Sequence, residues 1–257
     1  MGRQPAICDY SDTDYERDFW AGGHRAYEDR VERLAIGKLF PSACPRFLEI
    51  GAGYGRLLDA YERKCRSVTL VDYAPNMVGA ARKRVKDLRL SHVEVLQGDA
   101  YDLSPLSGTF DGCMMVRVLH HIEDVGAVFA QIHAKLKRDG FFILEYPNKR
   151  NIVEIVRAAA GKNNLRPFSP EPGRRGKGPF CCFHPSYVEQ KLHHEGFGIE
   201  RVLMVSAFRH VAFKRLFGSG MLSAMENAIQ EPLGFLRLSP SVFVLARKAS
   251  SPTRLAA

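Results

Sequence analysis

The run Phe47-Leu48-Glu49-Ile50-Gly51-Ala52-Gly53-Tyr54-Gly55-Arg56 takes an apolar strand through an acidic residue into alternating glycines. Gly51 and Gly53 lack the Cβ atoms that would block a tight turn and hold a ligand off the backbone. Asp72 closes the next apolar run, Val68-Thr69-Leu70-Val71, at the distance where an acidic side chain accepts hydrogen bonds from a ribose. A nucleoside ligand is the chemistry this pattern serves. Gly98-Asp99-Ala100 offers a further acidic acceptor. His120 and His121 titrate near neutrality and are the natural proton acceptors, with Tyr146 just past a fifth apolar run as a further candidate.

The third glycine decides which nucleoside. Dinucleotide loops read G-x-G-x-x-G/A and seat a pyrophosphate on the following helix start, which demands a small residue at position 56. This chain has Arg56 there and places its third glycine at Gly55. A nicotinamide oxidoreductase is therefore disfavoured. A ligand with a ribose but no phosphate fits better.

Elements of fixed order must carry these residues. Strands are expected at 46–50, 68–72, 93–96, 112–116 and 141–145, with helices near 55–64, 75–87 and 124–137, the last stopping at Asp139-Gly140. Such βα alternation predicts a parallel, doubly wound sheet whose ligands bind outside the C-terminal strand ends. The glycine loop, Asp72, Asp99, Arg117 and Glu145 all fall on that edge. Residues 12–40 read as helix broken at Gly22-Gly23, and 161–182 as a flexible basic loop. A helix follows at 186–195 and strands at 199–208 and 241–247. Between those strands, apolar spacing predicts an inserted helical pair over 207–238, either a cap on the site or added core.

E-x-G-x-G-x-G with its downstream Asp72 resembles the first motif of class I S-adenosylmethionine-dependent methyltransferases. The resemblance spans Phe47 to Glu145. Leu119-His120-His121-Ile122-Glu123-Asp124 resembles the "L-H-H-x-x-D" signature of the bacterial small-molecule group, and Leu136-Lys137-Arg138-Asp139-Gly140 its "L-K-P-G-G" turn. It implies a Rossmann-like, doubly wound, mostly parallel seven-stranded sheet with an antiparallel last strand, in a single domain over 1–257 whose cofactor core is 46–147. N-terminal cover helices over 12–40 are implied as well. Carried over residue by residue, Glu49, Gly51, Ala52, Gly53, Asp72, Tyr73, Met77, Asp99, Ala100, Tyr101 and Arg117 line S-adenosylmethionine. Asp99 accepts from the adenine amino group, and Met77 packs on the ring opposite Ala100. Tyr15, Trp20 and Arg25 on the cover segment meet the sulfonium or the methionine carboxylate. In that group the histidine pair often fixes a loop, so its catalytic role stays open.

Absences narrow the acceptor. No Asn/Asp-Pro-Pro-Tyr/Phe follows the fourth strand, which disfavours nucleic-acid amino groups, and Arg117 stands where metal-dependent relatives carry Asp, so no metal is expected. A small, apolar or amphipathic acceptor is expected, with an RNA acceptor and a non-catalytic cofactor-binding subunit as alternatives. RNA gains some support from charge: of the net +9, the residues from Arg166 onward hold thirteen Lys/Arg against six Asp/Glu. The six cysteines form no C-x-x-C, no apolar run reaches a bilayer span, and the start lacks a signal-peptide core. A cytoplasmic monomer or homodimer with reduced thiols is the expectation.

Overall fold

The computed structural model of the chain describes residues 25–162, 165–174 and 180–249. Tyr15, Trp20 and the first half of the expected cover helices lie outside the described residues. What is described of that segment is helix α1 (Ala26–Leu39).

Strand β1 (Cys44–Ile50) leads through the glycine loop to β2 (Cys65–Asp72), helix α2 (Pro75–Asp87), β3 (Val93–Gln97) and β4 (Phe110–Met115). Helix α3 (Val125–Lys135) and β5 (Leu136–Pro147) follow, then α4 (Ile152–Ala159) and a two-stranded ribbon, β6 (Gly173–Arg174) with β7 (Cys181–Cys182). The chain continues through α5 (Pro185–His194), β8 (Phe197–Val205), α6 (Val211–Leu216), α7 (Ser219–Ile229) and β9 (Ser241–Lys248). The main sheet runs β3-β2-β1-β4-β5-β9-β8, parallel except for β9, which is antiparallel to both neighbours. This is the doubly wound seven-stranded sheet that the motif order predicts.

Side chains alternate across each strand, so neighbours in sequence serve opposite faces. Phe47, Met114, Ile143 and Phe243 pack with α1 and α2, whereas Leu48, Cys113, Phe142 and Val244 pack with α3 and α5. Both faces are thus covered, as a parallel sheet requires. Pro75 opens α2 at a position where its missing N–H costs nothing. The Asp124 and Asn151 side chains cap α3 and α4 by accepting from Ala127 and Glu154 N–H groups.

Three local expectations are corrected. The helix near 55–64 is absent. Two 3₁₀ turns, Leu58–Ala60 and Glu62–Lys64, stand in its place, because Gly55 at φ +77° and Tyr61 at φ −142° interrupt any longer run. Strand β5 does not start after Asp139-Gly140 but passes through it: Leu136 is buried and pairs with Phe110, and Asp139 absorbs the irregularity at φ +59°. Helix α4 has no counterpart in the expected elements, because its pattern is inverted, with Ile152 and Val156 exposed and Glu154 buried.

The inserted helices pack outward from the sheet edge onto α1. Tyr27 donates its hydroxyl to Glu226 and accepts from Phe208 N–H at 2.9 Å, while Gln230 donates to the Val31 carbonyl at 2.9 Å. The return toward β9 passes so close to β8 that a Cβ on Gly234 would lie 1.9 Å from the Val202 carbonyl oxygen.

Candidate cofactor cleft

Strand β1 sits between β2 and β4, so the loops leaving β1 and β4 diverge and open a crevice at the sheet's C-terminal edge. The glycine loop is pinned there by its own backbone: Gly51 and Ala52 N–H groups both donate to the Val71 carbonyl, at 2.8 and 3.1 Å. Gly51 takes φ +68°, and a Cβ on it would lie 2.1 Å from Val118 Cγ2. Gly53 takes φ +57° with no atom within 4 Å of its would-be Cβ, so bare backbone faces open space.

Asp72 bridges two elements. Its Oδ2 accepts from Gly53 N–H at 2.7 Å and its Oδ1 from Ala74 N–H at 3.0 Å. With the Tyr73 N–H as a further donor, the carboxylate still has acceptor capacity for an incoming hydroxyl. Burial raises its pKa, partly offset by those N–H donors. Asp99 Oδ1 accepts from Tyr101 N–H at 2.9 Å, and the Tyr101 hydroxyl accepts from Glu123 and Asp124 N–H at 3.0 and 3.1 Å. The loops after β3 and β4 are thereby locked together.

At the other end Glu49 is buried against the Tyr61 hydroxyl, and burial pushes its pKa up to about 7. Arg117 follows β4 in a left-handed conformation, φ +59°, held by its N–H to Glu145 at 2.8 Å. The Glu145 carboxyl also accepts from Ser241 Oγ at 2.6 Å, and burial raises its pKa. The Arg56 side chain does not crowd the loop. It turns back to α1, pairing with Asp29 and with Glu32 at 2.5 Å.

Glu49, Gly51, Ala52, Gly53, Asp72, Tyr73, Met77, Asp99, Ala100, Tyr101 and Arg117 line a single cleft, together with His121, Ile122, Val118 and Arg56. Its unfilled space, mouth included, is about 1080 Å³. Of the cofactor residues expected from the sequence, Arg25 is described and does not line the cleft. The proton-transfer candidates separate. His121 lines the wall, but burial lowers its pKa to about 4. His120 is buried against His121 and Phe180, with ring centroids at 3.9 and 4.3 Å, and burial holds it neutral. Tyr146 points into the core beneath α3 and α5, 1% exposed, and burial raises its pKa. The alternation of β5 explains the miss, because Glu145 and Tyr146 must face opposite sides. Sequence reasoning also passed over Val118, Ile122 and Glu32, for which apolar spacing and a helical acid give no distinctive signal. No cluster of three metal-binding side chains occurs among the described residues. None of the described helices is long and apolar enough to cross a membrane.

The family described as "Methyltransferase domain" matches residues 48–144. A protein-L-isoaspartate O-methyltransferase of Nitrobacter winogradskyi is 32% identical over 134 residues, 51% of this chain and 57% of that protein. A ubiquinone biosynthesis O-methyltransferase of Methylocella silvestris is 28% identical over 149 residues, 55% of each. The chain thus spans little more than half the length of these curated relatives. Among solved structures, a SAM-dependent methyltransferase of Thermotoga maritima superposes with TM-score 0.61 at 21% identity, covering 93% of this chain and 97% of that one. The N-methyltransferase NodS of Bradyrhizobium japonicum, solved with S-adenosyl-L-homocysteine, gives 0.56 at 16% identity and 92% of each. These likenesses at low identity speak to the fold, and the matched region carries the glycine loop, Asp72 and Asp99. Residues 48–144 are thus matched by the methyltransferase-domain family, and the chain shares its fold with solved S-adenosylmethionine-dependent methyltransferases.

Proposed function

We propose that the chain transfers the methyl group of S-adenosylmethionine to a small acceptor with an apolar portion. The observation that carries this reading is the Asp72 carboxylate, fastened to the glycine loop and to the start of α2 beside the bare backbone of Gly53. That cradle suits a ribose. In this reading Asp72 accepts from the ribose hydroxyls and Asp99 from the adenine amino group. Met77, Ala100 and Ile122 sandwich the ring. Glu49 and Arg117 then stand at the amino-acid end, a carboxyl and a cation facing a zwitterion.

S-adenosylmethionine supplies an electrophilic methyl on a sulfonium, and the chain's residues bind, orient and dry the reacting pair. Alignment dominates such an in-line displacement. His121 is neutral at physiological pH, yet a conjugate acid near 4 makes it a feeble base. The site is therefore suited to acceptors that are already nucleophilic at neutral pH or that release their proton to water. An apolar acceptor is supported by position: β8 runs parallel to β5, so α4 and the inserted helices leave the sheet at the cleft edge. Exposed apolar side chains of these helices include Ile152, Val156, Phe213 and Leu216. The relatives differ in the acceptors their names give, protein L-isoaspartate in one and a ubiquinone precursor pathway in another.

The test is to incubate the purified chain with methyl-labelled S-adenosylmethionine and fractionated cell extract. Label is expected in an organic-soluble small molecule. Label in RNA would replace the acceptor class, and cofactor binding without transfer to any fraction would make the chain a non-catalytic subunit.

A further inference from the structure

Glu32 lies on α1, outside the stretch matched by the methyltransferase domain, yet its carboxylate reaches two walls of the cleft. Its side chain is fully buried. One oxygen accepts from Arg117 at both Nε, 2.8 Å, and Nη2, while the other accepts from Arg56 Nη2 at 2.5 Å. Burial opposes its ionisation, but the Arg117 and Arg56 guanidiniums outweigh that and hold its pKa below the usual carboxylate value. A helix acid so placed does more than pack. It sets the plane of Arg117 and keeps two like charges from turning apart.

We propose that Glu32 is a positioning residue for the cofactor's amino-acid end: through Arg117 it fixes the cation that meets the α-carboxylate, leaving the nucleoside end indifferent to it. The inference rests on the methyltransferase reading above. Several facts support it. Arg117 has two of its donors bound in one plane, so its guanidinium is pre-oriented and loses little rotamer freedom when a carboxylate arrives. It follows β4, the strand next to β1 and its Glu49, whereas Asp99 and Tyr101 follow β3 two strands from β1, and all of them line the same cleft. Its left-handed backbone is separately held by Glu145, so losing Glu32 releases the side chain without moving the main chain.

The test compares two ligands by calorimetry: S-adenosylhomocysteine, and 5′-methylthioadenosine, which has the same nucleoside and no amino-acid group. Glu32→Gln is expected to weaken S-adenosylhomocysteine about tenfold, the worth of one charge-assisted hydrogen bond, with 5′-methylthioadenosine changed less than about twofold. Glu32→Asp should recover part of the loss. Arg117→Gln should lower the same ratio, and the double variant should be no worse than Arg117→Gln alone, because one acts through the other. Equal losses for both ligands, an unchanged ratio, or additive losses would overturn the proposal. If Glu32→Gln does not fold, Glu32→Asp carries the test: a selective loss for S-adenosylhomocysteine supports the proposal, and equal losses or none would overturn it. Failure of the unaltered chain to bind either ligand would instead sink the methyltransferase reading.

Discussion

Replacing Glu49 with Gln separates what the cleft costs the fold from what it gives the ligand. Glu49 is 2% exposed, and burial raises its pKa from 4.5 to about 7, with the Tyr61 hydroxyl and Arg56 only partly opposing that. Below pH 4.5 both folded and unfolded chains hold the proton, and the group contributes nothing to stability differences. Between 4.5 and about 7 the folded chain keeps a proton that the unfolded chain has released, so stability falls as pH rises, levelling off above about 7. The loss amounts to about 3 kcal/mol by the usual conversion of a pKa displacement into free energy. Gln cannot ionise, and its carbonyl can still accept from Tyr61. Glu49→Gln should therefore match the parent near pH 4 and exceed it by up to about 3 kcal/mol near pH 8, read by urea unfolding at both values. The same change should weaken S-adenosylmethionine about tenfold, because a cationic ammonium loses its charged partner. A stability difference that stays constant between the two pH values would refute the reasoning.

Gly51 and Gly53 should part company on substitution. Gly51→Ala drives a Cβ to 2.1 Å from Val118 and should prevent a stable fold or cost several kcal/mol (roughly 3 or more), seen in thermal unfolding. Gly53→Ala meets open space, so it should cost about 1 kcal/mol from its positive φ while abolishing measurable cofactor binding. His121 should titrate at about 4 in the ligand-free protein by imidazole NMR, and a midpoint above 6 would restore it as a general base. Tyr27→Phe removes the hydroxyl shared by Glu226 and the Phe208 N–H, and should cost about 1–3 kcal/mol. It should also raise hydrogen exchange in α6 and α7, leaving the cofactor cleft protected.

The half of the chain that builds the cleft is readable because its signals are local. A glycine that must take positive φ, a strand-end acid and a proline at a helix start each follow from one residue's chemistry. They repeat in register along βα units, so Glu49, Asp72 and Asp99 converge on one edge without any knowledge of packing. Misreadings came where tertiary contacts override local pattern. Residues 55–64 have helical composition, but Gly55 and Tyr61 sit in backbone conformations set by the loop's attachment to β2. Helix α4 hides because Glu154 is buried and Ile152 exposed. Tyr146 adjoins Glu145 in sequence, yet strand alternation sends the two apart. Glu32 was invisible, since its partners lie 24 and 85 residues away.

Calorimetric titration of S-adenosylhomocysteine into the purified chain, run alongside Gly53→Ala and alongside NAD, addresses the central claim most directly. The account predicts saturable one-to-one binding to the parent, none to the variant although it remains folded, and none of NAD to either. Saturable binding of NAD, or undiminished S-adenosylhomocysteine binding by folded Gly53→Ala, would contradict it.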